Sequence, residues 1–184
     1  MNKPKVLIVL GFVFVAAIVR ALPFMPPNFA PIGAMALFGG AYFVDKRLAF
    51  LLPLAVMLAS DLMLDFLYSI GLRAFSGLHS EIIFVYIGFL AIAGIGRLLQ
   101  QRLNIVTIAA ATISSSLVFF LISNFGSYLS MNEYQGWQGL LQCYVAAIPF
   151  FRNTFFGDLF YVTLLFGCFE LLKYRFPRIV FAKA

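Results

Sequence analysis

Charge is what this sequence has least of, with 7 acidic and 13 basic residues making up 11% of 184. A soluble domain needs a polar surface, and 63% hydrophobic residues with a mean hydropathy of +1.00 leave too little to build one. Histidine occurs once and cysteine twice, at Cys143 and Cys168, without a CxxC pairing. Ligand count therefore gives no expectation of a protein-built metal site or cofactor, and both thiols read as small apolar side chains. No GxxxxGK[ST] loop is present, which excludes ATP hydrolysis in the P-loop manner. The net charge of +6 follows from where the loops lie and gives no reason to invoke nucleic acid.

What the chain has in quantity is long apolar runs, so the expected fold class is all-α, a single polytopic membrane domain over 1–184. Runs near the roughly 20 residues that span a bilayer as helix fall at 6–22, 30–44, 49–68, 81–98, 105–129 and 153–173, giving a six-transmembrane-helix bundle. The second is short, hence tilted or partly re-entrant. The first follows Lys3 and Lys5 as a secretory signal would, but no small-residue cleavage site follows and Arg20 interrupts its place, so an uncleaved helix is expected. With six spans and a cytoplasmic N-terminus, one side receives Lys3, Lys5, Lys46, Arg47, Arg97, Arg102, Lys173, Arg175, Arg178 and Lys183. The other receives Arg20, Arg73 and Arg152. Ten of the thirteen basic residues thus face the cytoplasm, with both termini, as the positive-inside rule requires.

The polar residues inside these runs carry the functional question. The stretch 137–158 mixes apolar runs with Pro149, Arg152, Asn153 and Asp158, and reads as a re-entrant lid ended by Pro149 and feeding a final helix. Asp61 and Asp65, four apart, share a helical face at a depth compatible with Arg20, so an Arg20–Asp61 ion pair is one reading and ligand contact the other. Asn28 follows three prolines and either offers its amide to a ligand or caps the next helix. His79 stands in the outer loop before the fourth span, as a capping or interfacial residue or at the mouth of a site. Asn124, near the outer end of the fifth span, needs a partner. Gly33, Ala36 and Gly40 make a small-residue face that packs a helix of this chain or of a partner. Trp137, Tyr128, Tyr134 and Tyr144 supply rings, as a pocket or as an interface belt.

All the deep polar groups fall in the outer half, which reads as one outward-facing pocket. Its acidic, cationic, amide and ring groups suit a zwitterionic or heteroaromatic molecule. An intramembrane enzyme using Asp61 and Asp158 as a carboxylate pair is an alternative, and a structural membrane protein whose polar groups only satisfy each other is another.

The segments NFAPIGAMALFGGAYF, PLAVMLASDL, FVYIGF, FFLISNFGSYL and GLLQCYVAAIPFFRNTFFGDLFY together resemble an uncharacterised bacterial family grouped with transport proteins. That family is similar to the substrate-binding S-components of energy-coupling-factor (ECF) vitamin transporters. The resemblance implies a non-enzymatic subunit of the bacterial inner membrane that binds a vitamin or cofactor precursor from the extracytoplasmic side. By position, its ligand residues would be Asn28, His79, Asn124, Trp137, Arg152, Asn153 and Asp158. Its partners would be the small molecule, membrane lipid and, for active uptake, a coupling transmembrane subunit with ATPases. The docking face would be Ala17 and Ala21 or, in their stead, the Gly33 to Gly40 face. A cobalamin reading would place His79 near cobalt.

Overall fold

The computed structural model describes residues 28–43, 45–72 and 76–176, together with Gly11, Ile18 and Val19, which are helical. The rest of the first expected span, including Ala17, Ala21 and Arg20, lies outside the described residues, and with it the expected Arg20–Asp61 ion pair. Those residues form five helices and no strand: α1 (Ile32–Tyr42), α2 (Lys46–Ser69), α3 (Ile82–Leu99), α4 (Ile105–Ser130) and α5 (Gly136–Arg175). The last four are long and apolar enough to cross a membrane, which makes this a multi-pass membrane protein.

Local chemistry sets several helix ends. The Asp45 carboxylate accepts the Arg47 backbone N–H at 2.7 Å and starts α2. Asn104 and Thr107 exchange side-chain and backbone bonds in a capping box that starts α4. The expected spans 49–68, 81–98 and 105–129 agree with α2, α3 and α4 to within a few residues.

The short α1 is the hub of the bundle. It contacts all four of the other described helices, and Ala34, Met35, Ala36 and Phe38 in it are fully buried. Glycine lets it approach α3 closely, since a Cβ on Gly96 would meet the Leu37 carbonyl and lie 3.0 Å from the Gly40 Cα. Its terminal carbonyls, which no fifth residue can satisfy within the helix, are taken by α3. Gln100 Nε2 donates to Gly40 O at 2.9 Å and Phe43 O at 2.7 Å, and Arg97 Nη1 donates to Phe43 O at 2.9 Å. Toward α5, Phe38 meets Phe166 and Phe169 edge-on at 5.2 and 5.4 Å, and the Tyr42 hydroxyl donates to Glu170 at 2.5 Å.

Contacts along α5 fix the register that matters for the site. Gly33 lies against Asp158 and Phe29 against Gly157, while Tyr42 reaches Glu170, so α1 runs parallel to the second half of α5. The first half of α5 extends past the start of α1 and pairs antiparallel with α4. The Tyr144 hydroxyl donates to Leu121 O at 2.7 Å, and Tyr128 to Gly136 O at 3.4 Å. α3 lies antiparallel on the other side of α4, with Phe89 on Phe119 and Phe84 on Phe125.

The re-entrant lid expected before residue 153 is instead the first half of α5, one unbroken helix of 40 residues with Pro149 inside it. Proline removes one N–H and so one helical bond, to the carbonyl four residues back. Gly139, Cys143 and Ala147 recur every fourth residue and are buried, so this segment has a continuous small-residue stripe to pack and stays helical through the proline.

Candidate functional site

An 11-residue helix is about 16 Å long, roughly half a bilayer core. Because α1 fills only the part of the bundle beside the second half of α5, the space beyond its N-terminus is left unfilled by the described residues between α3, α4 and the first half of α5. A cavity of about 330 Å³ occupies this region, at the lower end of the range for small-molecule sites.

Each wall follows from helical spacing. α3 contributes Val85, with Glu81 just before its first turn. α4 contributes Phe119, Phe120, Ser123, Asn124 and Ser127, and the following turn contributes Met131 and Tyr134. From α5 come Cys143, Ala146, Ala147, Phe150, Phe151 and Thr154, at three- and four-residue steps along one face. Asn28 and His79 enter from the two loops.

The loop residues are held by their backbones. Asn28 has φ of 62°, a left-handed conformation that asparagine tolerates better than most residues. Pro31, without a side-chain bond, occupies the N-cap of α1, so Asn28 does not cap the helix. His79 Nδ1 lies 3.2 Å from Gly77 O, and since a carbonyl only accepts, this is a hydrogen bond in the tautomer that carries its proton on Nδ1. Gly77 in turn sits against the Asp61 backbone carbonyl so closely that a Cβ there would collide with it. Ser76 spans the same loop, its hydroxyl donating to Asp65 and accepting the Leu78 N–H at 3.0 Å.

On α4, Ser123 donates to Phe119 O and Asn124 Nδ2 to Phe120 O, both at 2.8 Å. These bonds use the Ser123 hydroxyl proton and one Asn124 N–H, and leave the Asn124 amide oxygen and its second N–H. Cys143 Sγ faces Asn124 O at 3.5 Å across the α4–α5 seam.

Of the seven residues expected to touch ligand, the cavity gathers three: Asn28, His79 and Asn124. Trp137 is 72% exposed at the start of α5 and outside the lining. Arg152 is exposed and Asn153 half-buried, and neither lines it. Asp158 is 4% exposed, one layer below, where it accepts Ser116 Oγ at 2.7 Å and packs on Gly33. Asp61, fully buried, accepts the Tyr86 hydroxyl at 2.9 Å, and Asp65 accepts Ser76. The two buried aspartates are thus bonded to different helices, Asp61 to α3 and Asp158 to α4.

Ala36 and Gly40 are buried within the chain and Gly33 is closed off by Asp158. The small-residue face therefore packs the α1 hub within this chain.

Composition alone did not single out Glu81, Ser123, Ser127, Phe150, Phe151 and Thr154 as site residues. The spacing of 120, 123, 124 and 127 on one helix and of 143, 147, 150, 151 and 154 on the next is the signal that marks them. Among the described residues no group of three or more His, Cys, Asp or Glu side chains could hold a metal ion.

The model of one protein family, described as a family of unknown function (DUF6580), matches residues 1–179 of the chain. No curated protein and no solved structure matches it.

Proposed function

The chain belongs to the DUF6580 family, and from that starting point we propose that it is a solute-binding membrane protein, S-component-like, for uptake of a vitamin or cofactor precursor. The observation that carries the reading is the cavity of about 330 Å³ beyond the N-terminus of α1, where Asn28, His79 and Asn124 converge with four phenyl rings. Mostly apolar walls with a few placed polar groups are what a small-molecule site requires.

Sidedness supports capture from outside. Lys46, Arg47, Arg97, Arg102, Lys173 and Arg175 all belong to the end of the bundle away from the cavity. On this reading the basic end faces the cytoplasm of a bacterial inner membrane, the cavity mouth opens on the extracytoplasmic side, and the full topology is six spans with both termini inside. The protein itself performs no chemistry in this reading. Active uptake would draw on a separate coupling subunit and ATPases, since the sequence has no phosphate-binding loop of its own. A corrinoid is much larger than the cavity, which counts against cobalamin.

The test is mass spectrometry of small molecules released from detergent-purified protein, with Ala146→Trp prepared in parallel to fill the cavity from an exposed position. A stoichiometric compound present in the wild type and absent from the variant is expected. A compound retained equally by the variant would place binding elsewhere and overturn the assignment.

A further inference from the structure

The wall chemistry of the cavity selects a sign of charge. Among the described residues that line it, Glu81 is the only carboxylate, and no lysine or arginine takes part. Arg152, which would have balanced an anionic ligand, is exposed and outside the lining. The cavity also lies beyond the N-terminus of α1, and at the N-terminus of α3 Glu81 itself takes the N-cap position, where its charge opposes an anion. The Glu81 carboxylate is half-buried and takes a single hydroxyl, from Ser80 at 2.7 Å. A carboxylate has acceptor capacity for several donors, so most of it remains for a ligand.

The opposite walls carry Phe119, Phe120, Phe150 and Phe151, with the rings of Phe120 and Phe151 tilted 52° at 4.8 Å. Phenyl faces attract cations and apolar bodies and repel anions. Asn28 and Asn124 add amide oxygens, which accept from N–H donors.

Resting on the reading of the cavity as a solute site, we propose that its ligand is an organic cation. The class is a protonated amine or cationic nitrogen heterocycle on an aromatic or apolar body, with the positive nitrogen at Glu81 and the body against the phenyl rings.

Three probes with one indole body and different tails test this: tryptamine, tryptophol and indole-3-acetate, which are cationic, neutral and anionic at neutral pH. Binding to the purified full-length protein is read by calorimetry and thermal shift, in the wild type, Glu81→Gln, Glu81→Asp and Ala146→Trp. The cation is expected to bind best, and Glu81→Gln to weaken it by about tenfold or more, the loss of one charge-assisted contact. Glu81→Asp should recover part of the affinity, and the neutral probe should not respond to either change. Equal or tighter binding of tryptophol or indole-3-acetate, abolished by Ala146→Trp, would overturn the cation proposal and leave the cavity standing. Binding of tryptamine that survives Glu81→Gln would overturn it as well. No binding by any probe, or binding indifferent to Ala146→Trp, would overturn the cavity reading and the cation proposal together.

Discussion

At the scale of single residues, the polar groups divide into those that hold the bundle and those that face the cavity. Asp158, 4% exposed, belongs to the first kind, bonded to Ser116 and seated on Gly33. Removing its hydroxyl donor leaves a buried carboxylate short of a partner, so Ser116→Ala is expected to cost about 1 to 3 kcal/mol. Asp158→Asn keeps an acceptor for Ser116 and should cost less. Thermal unfolding in detergent compares the two, and a Ser116→Ala protein as stable as the wild type would remove the bond from the account. Sequence reading put Asp158 and Asn124 in one pocket because both lie at similar heights along their helices. Height came from counting residues; the direction each side chain faces depends on which neighbour the helix packs against. Asn124 proved to face the cavity and Asp158 the α1 hub.

At the scale of elements, glycines and a proline make opposite demands. Gly96→Ala would place a methyl group against the Leu37 carbonyl and the Gly40 backbone. Backbone cannot yield as a flexible side chain can, so the crossing should open at a cost of about 1 to 3 kcal/mol, read as a lower melting temperature. Gly94, with nothing within 4 Å of its Cβ position, should accept the same change without loss. Pro149 is exposed inside the continuous α5. Pro149→Ala restores a helical bond there and should raise stability by as much as about 3 kcal/mol. If two separate segments met at that position, as the amino-acid pattern first indicates, the substitution would have no helix to complete and stability would not rise. Spans α2, α3 and α4 were legible because an apolar run of bilayer length bounded by charged or turn residues is a one-dimensional signal. The first half of α5 was not, because proline and scattered polar residues look like an interruption until the packed stripe of Gly139, Cys143 and Ala147 is seen.

At the scale of the molecule, orientation is open to direct measurement. With Cys143 and Cys168 replaced by alanine, Glu133→Cys in the α4–α5 turn should react with an impermeant maleimide applied to intact cells. Arg102→Cys, between α3 and α4, should react only after the membrane is opened. The reverse pattern would invert the proposed direction of capture. That the chain is helical and membrane-crossing was determined by its sequence alone, because hydropathy and length depend on no contact between distant residues. The cavity was decided only by tertiary structure. It exists because α1 is short and is drawn against α3 by glycine contacts and against the second half of α5 by aromatic ones, leaving the space beyond its N-terminus unfilled by the described residues. A void of that kind is a property of how far each helix extends past its neighbours, and no residue pattern within one helix encodes it.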